Sequence, residues 1–222
     1  MSVVPVTLLV VAKAPVPGRA KTRLAATVGD QLAAEIAAAA LLDTLDAVAA
    51  TPVATRVVAL TGELADAADA DEIRRRLASF VVIAQRGNDF GDRLANAHAD
   101  AAAVDGHPVL QIGMDTPQVT AELLTDCGRR LVESPSVLGM APDGGWWTLG
   151  VDSPAFAECL RDVPMSQPDT GALTLKALRS NGIDVALLGE LADFDVVEDV
   201  AAVREVCRPG SRFATVSRAA GL

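Results

Sequence analysis

A chain of 222 residues, half of them hydrophobic, can bury one sizeable core, and residues 1–222 read as one domain. Its formal charge of -10 disfavours a nucleic-acid backbone or an anionic membrane surface as partner, because neutralising many phosphates takes a broad basic face. Cys127, Cys159 and Cys207 stand far apart, odd in number and outside any metal-ligand spacing, which argues against structural zinc and for a reduced, cytoplasmic protein.

In chain order, the opening run Val3–Ala12 lacks a basic leader and a cleavage site and is too short to span a bilayer, so it reads as a strand centred on Val6–Val11. Further apolar runs of strand length fall at Arg56–Leu60, Phe80–Ala84, Val109–Ile112 and Val137–Met140. Segments of helical spacing lie between them: Leu41, Leu45 and Val48; Leu94, Ala97, Ala101 and Val104; Leu124, Cys127 and Leu131. Such alternation predicts an α/β fold with a largely parallel sheet. After Met140 the pattern changes. Trp146–Val151 follows the pair Gly144–Gly145 and reads as a strand reached by a tight reversal, which makes the sheet mixed. A helix over 172–180, a strand over 183–188 and a helix from Glu198 complete the core, and residues 208–222 read as a loose tail.

Charge is distributed unevenly. Up to Asp30 the cations Lys13, Arg19, Lys21 and Arg23 face one acid, a local +3 that leaves -13 on the remaining 192 residues. These cations follow the first strand in a loop shaped by Pro15, Pro17 and Gly18, at the strand end where open α/β sheets bind ligands. Lys21–Thr22 invites a P-loop reading, but the glycines that motif needs are replaced by Ala20 and Pro15. The loop reads instead as a cradle for a di- or triphosphate, against the alternative of a solvated basic turn.

Three acidic motifs follow, the first of them at that same sheet edge. Asp115 in Gly113-Met114-Asp115-Thr116-Pro117 suits Mg²⁺ or Mn²⁺, which take few protein oxygens and several from phosphates; alternatively it caps the helix beginning near Val119. In Asp143-Gly144-Gly145-Trp146-Trp147 the glycines allow close backbone approach to a ligand and Asp143 can accept sugar hydroxyls or a proton, although Asp-Gly-Gly is also ordinary hairpin chemistry. Trp146 and Trp147 point to opposite faces of a strand, so at most one stacks on a substrate. Asp193 and Asp195 share a face if extended and can complete a cation site with Asp115, or Asp195 or Val196 merely opens the following helix, with Glu198 and Asp199 favouring its positive end. Gly87–Arg93 reads as a helix start from which Arg93 can reach a phosphate. His98 and His107 stand alone and signal no nucleophilic or zinc chemistry. Asp169–Thr170 reads as the cap of the helix near Ala172.

Taken together, Ala12-Lys13-Ala14-Pro15-Val16-Pro17-Gly18-Arg19-Ala20-Lys21-Thr22-Arg23-Leu24, Gly113-Met114-Asp115-Thr116-Pro117, Pro142-Asp143-Gly144-Gly145 and Asp193-Phe194-Asp195 resemble the bacterial family of small glycosyltransferase-A-type proteins similar to the 2-phospholactate guanylyltransferases. The likeness runs from about residue 7 to residue 203. It implies the nucleotide-diphospho-sugar transferase fold, a Rossmann-like three-layer α/β/α sandwich with a mostly parallel mixed sheet. It also implies nucleotide phosphates on Lys13, Gly18, Arg19, Lys21 and Arg23, and a Mg²⁺ or Mn²⁺ ion on Asp115 with Asp195 or Asp193. Catalytic work would fall to Asp115, Lys21 and Asp143, and substrate contacts to Asp143, Gly144, Gly145 and Trp146. Val196-Val197 replaces the family's usual Thr-Pro, and Trp146-Trp147 its usual tyrosine pair.

Three activities fit these residues: glycosyl transfer from a nucleotide-sugar to a small-molecule acceptor, nucleotidyl transfer from an NTP to a small phosphate or carboxylate with release of pyrophosphate, and nucleotide binding without turnover. Fold alone does not choose among them.

Overall fold

The computed structural model describes residues 2–222. Its centre is a seven-stranded sheet of order β3-β2-β1-β4-β6-β5-β7. Strand β1 (Val4–Lys13) is apolar on both faces and lies between β2 (Val53–Thr61) and β4 (Val109–Gly113), parallel to each, while β3 (Val81–Ala84) adds in parallel to β2. Such a run of Val and Leu without alternation belongs to a strand covered on both sides. Strand β5 (Ser136–Met140) turns tightly into β6 (Trp146–Val151), which is antiparallel to both β5 and β4, and β7 (Val185–Leu188) lies parallel to β5. The sheet is therefore mixed where the glycine pair predicted a reversal.

Helices cover both faces. On one, Leu8, Val10, Leu110 and Ile112 pack against Leu41 and Leu45 of α2 (Asp30–Ala50) and Leu124 and Leu131 of α5 (Ala121–Val132), with Ile73 of α3 (Ala70–Leu77) beside them. On the other, Leu9, Val57 and Leu149 pack against Leu94, Ala97 and Ala101 of α4 (Phe90–Asp105), Leu160 of the 3-10 segment Pro154–Asp162 and Leu178 of α6 (Thr170–Ser180). A third cluster joins Leu24 of α1 (Thr22–Val28), Ile36 of α2, Phe194, and Val200 and Val203 of α7 (Val197–Val206). Among the described residues, no helix is long and apolar enough to cross a membrane.

The expected loose tail is corrected by helix α8 (Arg212–Ala219). Phe213 is fully buried with its ring centroid 4.8 Å from that of Phe194, Ser211 Oγ accepts from the Ala214 N–H, and Asp43 accepts from the Phe213 N–H at 2.9 Å. One phenylalanine in a polar, alanine-rich run is a weak signal on paper, but here it docks the helix against α2. Capping differs at two helix starts. Of the two readings of Asp115, the capping alternative falls away, since Thr120 caps α5, accepting from the Leu123 N–H at 3.1 Å. Asp169 sits at the start of α6 without a capping hydrogen bond, because Thr170 Oγ1 organises that loop instead, donating to the Pro164 carbonyl and accepting from the Gln167 N–H.

Candidate active site

The basic loop leaves β1 at Lys13, and Gly18 turns it with a φ of 74°. Lys21 then enters α1 in the left-handed region, φ 45° and ψ 52°, a conformation that costs a non-glycine residue on the order of 1–3 kcal/mol. What holds it there is its ammonium group. Lys21 Nζ donates to Asp115 Oδ2 at 2.8 Å and to the Phe194 carbonyl, lies 3.6 Å from Asp195 Oδ1 and sits 4.5 Å from the centre of the Phe194 ring. Burial pushes its pKa down, but Asp115, then Asp195 and Asp193, outweigh burial and raise it, so it stays charged.

Phe194 anchors the strap that carries the late carboxylates, and it places them differently. Asp193 faces the same space as Asp115; burial, then the charges of Asp115 and Asp143, push its pKa up to about 6 against the pull of Lys21. Asp195 bridges two cations at the edge of the cleft, with Oδ1 3.6 Å from Lys21 Nζ and Oδ2 accepting from Arg23 Nη1 at 2.7 Å. Asp199 fixes the strap by accepting from the backbone N–H groups of Asp195 (2.9 Å) and Val196 (3.0 Å). Gln118 Nε2 donates to the Ala192 carbonyl. Among the described residues, no three His, Cys, Asp or Glu side chains converge in metal-holding geometry. The donor chemistry still fits Mg²⁺ or Mn²⁺ on Asp115 and Asp193. Two hard carboxylates facing one space, one of them strained by the other's charge, are what a divalent cation relieves, and such ions take their remaining oxygens from phosphates and water.

These groups line a cleft of about 390 Å³ across the carboxyl ends of β1 and β4. Of the sequence-predicted residues, Lys13, Lys21, Asp115, Asp143, Gly145, Trp146 and Asp193 line it; Gly18, Arg19, Arg23, Gly144 and Asp195 do not. Arg23 is engaged with Asp195 and Arg19 is exposed. Asp143 Oδ1 accepts from the Gly145 N–H at 2.8 Å, closing the hairpin turn. Gly144 serves packing: with φ 90°, a Cβ there would lie 1.7 Å from the Pro168 carbonyl oxygen, and its own carbonyl accepts from the Gly171 N–H at 2.8 Å. The tryptophans do take opposite faces, Trp147 buried with the α2 cluster and Trp146 beside the α4 cluster, yet both reach the cleft.

The structure adds lining residues that sequence reasoning passed over: Gln85, Gln111, Thr116 and the turn Met165–Gln167. Gln85 Nε2 donates to the carbonyls of Ala12 (2.8 Å) and Ala59 (2.9 Å), tying the ends of three strands together. Gln111 had a readable signal, an amide inside the apolar strand Val109–Ile112. Arg93, read as a helix start with a reach toward phosphate, does line the cleft, 5.5 Å from the centre of the Phe90 ring, and Asp89 caps α4 by accepting from the Asp92 N–H.

The pattern of the family described as "Uncharacterized protein conserved in bacteria (DUF2064)" matches residues 44–167, and no curated protein matches the chain in sequence. Among solved structures, a candidate nucleotide-diphospho-sugar transferase from Desulfovibrio desulfuricans G20 is similar with a TM-score of 0.83 at 24% identity, covering 99% of this chain and 95% of that one. CMP:2-keto-3-deoxy-manno-octonic acid synthetase in complex with CTP is similar with a TM-score of 0.57 at 11% identity, covering 91% and 98%. A nucleotidyl transferase from Methanothermobacter thermautotroptrophicus is similar with a TM-score of 0.58 at 15% identity, covering 90% and 96%. The fold is that of the nucleotide-diphospho-sugar transferases, as the sequence resemblance implied.

Proposed function

We propose that this chain, which belongs to the DUF2064 family, is a transferase that uses an activated nucleotide, and that it moves a glycosyl group from a nucleotide-sugar to a small-molecule acceptor. The observation that carries this reading is the meeting of Lys21 with Asp115 at 2.8 Å, beside Asp193, inside the cleft at the strands' carboxyl ends. Cation and carboxylates side by side suit a diphosphate: Lys21, with Lys13 and Arg93 also lining the cleft, binds and orients the phosphates, and Asp115 and Asp193 are the residues that would hold Mg²⁺ or Mn²⁺. When bound, the ion supplies charge neutralisation for the leaving diphosphate. Gln85, its Nε2 committed to two backbone carbonyls, has its Oε1 free to accept a hydrogen bond from the nucleotide. Asp143 takes the acceptor's hydroxyl proton as the new carbon–oxygen bond forms at the sugar, and the bond from that carbon to the diphosphate breaks, its electron pair leaving on the diphosphate oxygen.

Nucleotidyl transfer is the second reading, favoured by the CTP complex and the nucleotidyl transferase among structures of like fold. Against it, Arg19 and Arg23, which would have met a triphosphate's extra charge, lie outside the cleft lining. The test incubates the protein with Mg²⁺ or Mn²⁺ and panels of nucleotide-sugars and NTPs, following nucleoside diphosphate and pyrophosphate separately. Nucleoside diphosphate release supports glycosyl transfer and pyrophosphate release the second reading. Nucleotide binding without turnover returns the chain to a binding module, and Asp115→Asn leaving donor binding intact removes the site assignment.

A further inference from the structure

The β6 side of the cleft has the makings of an acceptor subsite. Strands β4, β6 and β5 are consecutive in the sheet, the strap before Asp193 hydrogen-bonds β5 through Leu191 N–H to the Met140 carbonyl, and the 165–170 turn is tied to the hairpin through Gly171 and Gly144. Asp143, Asp193, Trp146 and the turn Met165–Gln167 are thereby gathered along one stretch of wall. Trp146 and Met165, both only partly buried, supply the apolar surface of that wall.

Charge narrows the class of molecule. The lining holds three cations, Lys13, Lys21 and Arg93, against three carboxylates, Asp115, Asp143 and Asp193, and Lys21 is already committed to Asp115. A diphosphate donor with its divalent cation leaves the cleft neutral, and without the cation leaves it negative. Neither state has positive charge to spare for a second anion, and Asp143 and Asp193 would repel one. We infer that the acceptor is an uncharged, hydroxyl-bearing molecule with an apolar face, bound between Trp146 and the Asp143 carboxylate, and not a phosphate or carboxylate; this rests on the reading of the cleft as a transferase site. Its hydroxyls meet the Asp143 carboxylate, and its apolar face lies against Trp146 and Met165.

The chain's two tryptophans both line the cleft, so intrinsic fluorescence reports on it. The protein, with Mg²⁺ and saturating UDP, GDP or CDP, is titrated with glucose and glycerol and with their anionic counterparts glucose 6-phosphate, gluconate and glycerol 3-phosphate. Neutral probes are expected to bind at least about tenfold more tightly than the matching anions. Gln167→Lys, at an exposed position of the lining, and Asp143→Asn should each narrow that ratio by about tenfold. Anions binding as tightly as neutral probes overturn the inference, as does a silent neutral panel in protein that binds the nucleotide. Failure to bind any nucleotide overturns the transferase reading and, with it, this inference.

Discussion

His98 gives the sharpest stability prediction. It is fully buried on α4, neither ring nitrogen makes a well-formed hydrogen bond, and burial pushes its pKa down to about 4 against a weaker opposing contact with Gln111. The folded protein thus keeps the imidazole neutral over a range in which the unfolded chain, with a pKa near 6.5, takes up a proton. The unfolded state binds more protons there, so stability is fully present above about pH 6.5 and is lost as the pH falls toward 4. Each unit of difference is worth about 1.4 kcal/mol, and between pH 7 and pH 4.5 the loss from this one group comes to about 2 kcal/mol. The assay is urea unfolding at pH 7.0, 5.5 and 4.5 for the wild type and for His98→Gln, which keeps an amide beside Gln111 and removes the titration. The carboxylates held low by partners, Asp46 beside Arg212 and Arg76 and Asp105 beside Thr55 and Thr7, titrate at lower pH and contribute equally to both proteins. An identical pH slope in wild type and variant refutes the assignment.

Three further outcomes test particular contacts. A Cβ on Gly113 would lie 2.6 Å from Asp115 Oδ1, so Gly113→Ala should displace that carboxylate from Lys21 and cut donor affinity about tenfold or more, while urea unfolding changes by less than about 1.5 kcal/mol; unaltered binding counts against the Lys21–Asp115 pair as the donor site. Gly144→Ala combines a left-handed φ with a backbone clash at Pro168 and should cost about 2–5 kcal/mol, read as a lower urea midpoint. Phe213→Ala should cost about 3–5 kcal/mol and also weaken nucleotide binding, since Phe194, which it supports, carries Asp193; stability loss with wild-type binding would show the strap to be held by other contacts.

Most of the sheet was legible because burial on both faces writes continuous apolar runs at β1 and β4, and paired glycines announce the reversal into β6. The segments that were not legible are those fixed by tertiary contacts. Helix α8 depends on one ring, Phe213, meeting another 4.8 Å away. The 3-10 segment Pro154–Asp162 is held by close approach, Gly91 lying so near the Leu160 carbonyl that a Cβ would come within 2.4 Å of it. For the site, residue types and strand ends located Lys21, Asp115 and Asp143, but pattern could not say which of two neighbouring carboxylates turns inward. Around fully buried Phe194, Asp193 lines the cleft while Asp195 is shared between Lys21 and Arg23 at its edge.

The same geometry explains why a cluster of four cations yields a cleft with no net charge. Had Arg19, Lys21 and Arg23 all faced inward, the loop would suit a triphosphate with little help. Instead Arg23 pairs at the rim with Asp195, a carboxylate it shares with Lys21, and Lys21 spends its left-handed backbone strain on holding an ammonium among carboxylates. An ion pair of this kind is weak evidence for stability, because desolvating both partners offsets most of their attraction. On the proposed transferase reading, its persistence inside a polar cavity makes better sense as preorganisation: Lys21 would be pinned near where phosphate charge develops, leaving little reorganisation for the reaction itself. Lys21→Met should therefore lower kcat/KM far more than it lowers the urea midpoint, and equal losses in both would return the pair to a structural role.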